Sequence, residues 1–143
     1  MNSVAGQGHR TVPHTADLRV EAWAPTREGC LAEAVRGLVS SFANVAGAAP
    51  HHTAKRHMTA GSAEDLLVAV VDEVIYWLDA EGEIPASVTV GQAGDGGVDL
   101  ALSLADVTAA EIIGAVPKAA SLHDLRCAPD PAGQWSCSVT IDV

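Results

Sequence analysis

Three oxygen-bearing groups in this sequence have the type and placement to hold a hard cation. Two are Asp142 and the main-chain carboxylate of Val143, which finish the run Cys137-Ser138-Val139-Thr140-Ile141-Asp142-Val143. The third is Asp17, at the mouth of another strand-like run. Two carboxylates held side by side repel unless a cation or hydrogen-bond donors lie between them. Oxygen-only ligands suit Ca²⁺, Mg²⁺ or Mn²⁺ better than Zn²⁺. There is a plainer alternative, in which Asp17 caps a turn and Asp142 is a solvated strand end, since exposed carboxylates are the norm.

Other groups are weaker candidates. His14 precedes Asp17 by three residues and can donate a hydrogen bond to it from the same turn. Lys118 follows Pro117 in a segment poor in charge, where it could meet a phosphate or an acidic partner. His51, His52 and His57 match no zinc-finger or HExxH spacing, and they read as a loop. Asp72 and Glu73 are neighbours on a helix and diverge by about 100°, so they cannot face each other. Ser121, His123 and Asp124 look like a triad by type, but neighbours on a strand point to opposite faces. There is no nucleophile elbow, Walker loop or dinucleotide fingerprint. The chain is unpersuasive as an enzyme.

The elements that must position these groups are legible from periodicity. Val139 and Ile141 alternate with Ser138, Thr140 and Asp142, the pattern of a half-buried strand. Leu18, Val20 and Ala22 alternate in the same way with Arg19, Glu21 and Trp23. Thr26 is placed to cap a helix over residues 27–44, with Leu31, Ala34, Val35, Leu38 and Phe42 on one face. Ser62 opens a second helix over residues 63–79, with Leu66, Leu67, Val70, Val71, Val74, Ile75 and Leu78 as its stripe. Two alternating runs flank Gly94-Asp95-Gly96-Gly97, a hairpin signal. Residues 50–53 read as a loop, 55–60 as a short strand, 119–127 as a strand and 134–143 as the last strand. Residues 108–116 fit either a helical turn or a strand. The sum is an α+β domain with two main helices packed on one face of a mostly antiparallel β-sheet.

The chain has 143 residues, which suits one domain. Residues 1–9 lack a basic segment followed by an apolar core, so they read as a flexible tail before a domain over 10–143. No run approaches the ~18 apolar residues of a membrane span. Three cysteines, Cys30, Cys127 and Cys137, without framework spacing suit a cytoplasmic location. With 18 acidic residues against 8 Lys and Arg, the net charge is −10, which repels phosphate backbones. Direct nucleic-acid binding is not expected, and a protein partner or a cation is. Oligomeric state is not legible.

Several motifs together resemble the archease family. They are His14-Thr15-Ala16-Asp17 before a strand, Glu64-Asp65-Leu66-Leu67 running into Glu73-Val74-Ile75-Tyr76-Trp77-Leu78, Pro117-Lys118-Ala119 with His123, and the Ile141-Asp142-Val143 ending. The resemblance covers nearly all of residues 10–143. It implies an archease-like fold and a small acidic, non-catalytic partner of the RtcB-type RNA ligase. Such a partner promotes metal- and GTP-dependent guanylylation and multiple turnover in tRNA splicing or RNA repair. It implies a metal site at Asp17, Asp142 and Val143, and a contribution of Lys118 to activation. Two rival readings are a metal-dependent phosphohydrolase and a chaperone-like binding module without metal use.

Overall fold

Alternating burial sets the register of the strands that carry the two aspartates. A computed structural model describes residues 6–13 and 17–143. In chain order the described elements are β1 (Gly8–Pro13), β2 (Asp17–Ala24), α1 (Arg27–Phe42), β3 (Ala43–Asn44), β4 (His52–Met58), α2 (Ala63–Glu81), β5 (Glu83–Gln92), β6 (Val98–Asp106), β7 (Glu111–Ile112), β8 (Ala119–Pro129) and β9 (Trp135–Asp142). They form a four-stranded sheet of order β1-β2-β9-β8, a three-stranded sheet of order β4-β6-β5, and the small pair β3-β7. Every pairing is antiparallel.

In the β2–β9 ladder Val20 lies opposite Val139 and Ala22 opposite Cys137, and all four are buried. A slip of one residue would turn this apolar set to solvent and the aspartates inward.

Helix α1 begins where the Thr26 hydroxyl accepts from the Gly29 N–H at 3.0 Å. Its buried residues include Cys30, Leu31, Val35, Leu38 and Phe42, and it contacts both larger sheets. The helices therefore do not simply cover one face of one sheet. Gly37 is part of the reason α1 can come so close. A Cβ there would lie 3.0 Å from Val20 Cγ1 and 3.1 Å from His9 Cβ.

Helix α2 is capped by Ser62, whose hydroxyl accepts from the Asp65 N–H at 3.1 Å. It buries Leu66, Leu67, Val70, Val71 and Val74 and ends at Gly82, which takes the left-handed conformation (φ 64°). No described helix is long and apolar enough to cross a membrane.

Further departures from expectation lie in the connections and in β8. Strand β4 starts at His52, inside the expected loop, because its backbone pairs fully with β6. Residues 108–116 resolve into a single 3-10 turn, Val107–Ala109, followed by the two-residue β7. Strand β8 carries a large bulge. Between Ser121↔Thr140 and Arg126↔Ser138, β8 advances by five residues and β9 by two. Asp124 takes a positive φ of 57° there, and Leu122 is 72% exposed.

The three cysteines are free and buried, with Cys127 directly opposite Cys137. The hydrogen bond with Cys127, and then burial, push the Cys30 thiol up to about 12, so it stays protonated.

Candidate metal centre

Asp17 opens β2 and Asp142 closes β9, and the two are register partners. Directly opposed residues of an antiparallel pair project from the same face, with Cβ atoms about 4.5–5.5 Å apart. That face is the outer one, because Ile141, Val139 and Cys137 take the inner positions. Asp142 is exposed and Asp17 half-buried. Asp17 also makes a further interaction of its own. Val143 follows directly, and its half-buried side chain packs on the core.

On the other side of β9, Ala119 lies opposite Asp142, and the Lys118 N–H donates to the Asp142 carbonyl at 2.8 Å. The fold thus gathers Asp17, Asp142, Val143 and the backbone of Lys118 at one end of the four-stranded sheet. His14 lies outside the described residues. The side-chain donors gathered here are the two carboxylates, with the main chain of Val143 next to Asp142. That chemistry fits a hard divalent ion of the Ca²⁺ or Mg²⁺ kind.

The tempting set at residues 121–124 does not form a triad. The Ser121 hydroxyl accepts from the His123 main-chain N–H at 3.1 Å, and His123 Nε2 lies 3.3 Å from Asp124 in the exposed bulge. The strand alternation used to dismiss the set fails at this bulge, although the conclusion stands.

Two further groupings were hidden from the sequence. His57 is held between Asp99 (Nδ1–Oδ1 2.9 Å) and Asp95 (Nε2–Oδ2 2.7 Å). His51 and His52 both meet Glu83 at 2.8 Å. Thirty-one residues separate His52 from Glu83, and no spacing rule joins them.

The Archease protein family (MTH1598/TM1083) matches residues 9–143. The chain belongs to the archease family. Two proteins called probable protein archease, from Mycobacterium tuberculosis strains CDC 1551 / Oshkosh and ATCC 25618 / H37Rv, are similar to it. Each is 52% identical over 136 residues, covering 95% of this chain and 75% of the relative. The solution structure of Methanobacterium thermoautotrophicum protein 1598 superposes with a TM-score of 0.71, over 95% of this chain and 99% of that one. At 18% identity that likeness speaks for the fold. The archease fold is thus an α+β domain of two helices with antiparallel sheets, as the periodicity and the family resemblance both implied.

Proposed function

We propose that this archease-family protein is a non-catalytic activator of an RtcB-type RNA ligase. In this role it promotes metal- and GTP-dependent guanylylation and repeated turnover in tRNA splicing or RNA repair. The observation that carries the proposal is the cross-strand pair Asp17–Asp142, which Val143 follows directly. These three groups would hold a divalent ion, Ca²⁺, Mg²⁺ or Mn²⁺. When bound, the ion would supply positive charge able to engage phosphate oxygens.

The chain's own residues do the rest. The ladder orients the aspartates, and the main-chain bond from Lys118 to Asp142 ties the activating segment to the same strand end. Around Lys118 the chain exposes Ile112, Ile113, Val116 and Leu122, at 47%, 59%, 44% and 72%. Exposed apolar side chains in one segment support a protein partner. The net charge of −10 favours the basic ligase over its RNA. In this proposal residues 10–143 act as one unit in the cytoplasm, His14 supports Asp17, and Lys118 contributes a cation toward the ligase.

The test is a ligation assay with purified ligase, GTP, divalent metal and RNA ends, with and without this protein. The protein is expected to raise guanylylation and turnover and to show no phosphoester hydrolysis alone. Asp17→Ala should remove the stimulation while leaving the protein folded. A residue appended after Val143 should impair it too. Normal stimulation by Asp17→Ala, or none by the parent, would refute the proposal.

A further inference from the structure

We propose that His51, His52 and Glu83 form a second metal site, separate from the aspartate pair, that takes a zinc-class transition-metal ion. The two sites lie on different sheets. His52 opens β4, Glu83 opens β5, and these strands flank β6 in the three-stranded sheet. His52 lies opposite Leu104 and Glu83 opposite Asp106. His51 is set by its own N–H, which donates to the Leu104 carbonyl at 2.9 Å. Consecutive strand residues diverge, but His51 precedes the strand, so both imidazoles can turn to one carboxylate.

The donor atoms are close to a ligating arrangement. Each imidazole presents Nε2, and Glu83 Oε2 lies 2.8 Å from both. Single ligand atoms from the three residues all lie within 4.8 Å of one another. Ligands of a tetrahedral zinc ion at about 2.0–2.2 Å sit about 3.3 Å apart. The two His–Glu contacts would therefore open by only about half an ångström, with the imidazole donors already within 4.8 Å of each other.

Glu83 is pinned, with its side chain 12% exposed, while His51 and His52 are 52% and 40% exposed and can reorient. Trp77 supports His52 edge-on at 5.7 Å, and the Trp77 indole N–H donates to Glu73 at 2.8 Å. Asp106 is nearby but its carboxylate accepts from the Thr108 N–H and hydroxyl, at 2.9 and 2.7 Å. Three protein ligands leave a fourth position to water or a partner's group. Two imidazoles with one carboxylate select zinc-type ions over Ca²⁺ or Mg²⁺, which sets this site apart from the all-oxygen one.

The experiment titrates the full, tag-free chain with Zn²⁺ by calorimetry and with Co²⁺ by absorption. One zinc per chain is expected. His52→Ala, His51→Ala and Glu83→Gln should each weaken it at least about tenfold, the cost typical of losing even an outer partner of a metal ligand. An Asp17→Asn/Asp142→Asn double variant should bind zinc as the parent does. The Co²⁺ spectrum should lack a thiolate-to-metal charge-transfer band. The inference is overturned by an absence of saturable zinc binding, by unchanged affinity in His52→Ala and Glu83→Gln, or by a thiolate band that assigns the ion to the buried cysteines. Because the probe is metal affinity, failure here leaves the ligase-activation proposal standing, and the reverse also holds.

Discussion

Asp17 and Asp142 stand opposite each other at the open end of the β2–β9 ladder, where the last inward pair is Leu18 and Ile141. Like charges placed directly opposite oppose a ladder by roughly 0.2–1 kcal/mol, and a shared cation turns the same juxtaposition into ligation.

Asp142→Asn should therefore separate two conditions. In chelator the variant is expected to be no less stable than the parent. In Ca²⁺ or Mg²⁺ at about a hundred times the dissociation constant, the parent gains about 2.7 kcal/mol and the variant loses that gain. Thermal unfolding with EDTA and with metal reads the difference. An equal metal-induced rise in both proteins would count against the centre.

Glu33 on α1 is the one buried charged side chain among the described residues. Burial raises its pKa, but hydrogen bonds from Gln7 (2.8 Å), His9 (2.9 Å) and Arg36 (2.5 Å) outweigh this and leave it below the usual value. A lowered folded-state pKa contributes stability above the unfolded value, about 4.3, and that contribution is lost as pH falls through the folded one. Glu33→Gln should cost about 1–3 kcal/mol at neutral pH. The gap from the parent in denaturant melts should narrow as the solution is acidified below about pH 4.

Gly37→Ala tests whether α1 is held close to the sheet. Helix propensity alone favours alanine by about 1 kcal/mol. The new methyl would press on Val20, which is fully buried in the sheet, and on His9. We expect net destabilisation of about 1 kcal/mol, visible as a lower denaturant midpoint. A higher midpoint would mean that the sheet yields.

The hydrogen bond with Asp99, then that with Asp95, raises the pKa of His57 above 6.5. Its contribution is present in full below the unfolded value and lost as pH rises through the folded one. An NMR titration of the ring should place its midpoint above 6.5, and Asp99→Asn should bring it back toward that value. No movement in Asp99→Asn would remove the assignment.

Leu122→Asp examines the exposed bulge. At 72% exposure the side chain has little to lose on folding, so stability should change by no more than about 0.5 kcal/mol. Ligase stimulation should fall. Full stimulation would move the partner surface elsewhere.

Periodicity carried much of this molecule. The stripe Leu66, Leu67, Val70, Val71, Val74 is the buried face of α2, and Val139 and Ile141 are inward residues of β9, because helix and strand repeats depend only on neighbours in the chain. The strand faces of Asp17 and Asp142 followed from the same alternation. Residue type grouped them as candidates and the family resemblance implied the same set, while their register pairing belongs to the folded β2–β9 ladder.

What local pattern could not reach was set by contacts far apart in sequence. The bulge at residues 122–125 exists because β8 must rejoin a β9 register dictated by core packing, and alternation breaks there. A glycine inside a helix ordinarily weakens it, yet at Gly37 an added Cβ would meet Val20 Cγ1 at 3.0 Å. His51 and His52 looked like loop residues until β6 brought Glu83 beside them. Side-chain periodicity is a property of one segment, whereas which segments meet depends on the burial free energy of the whole chain, and that sum assembles the carboxylates and imidazoles.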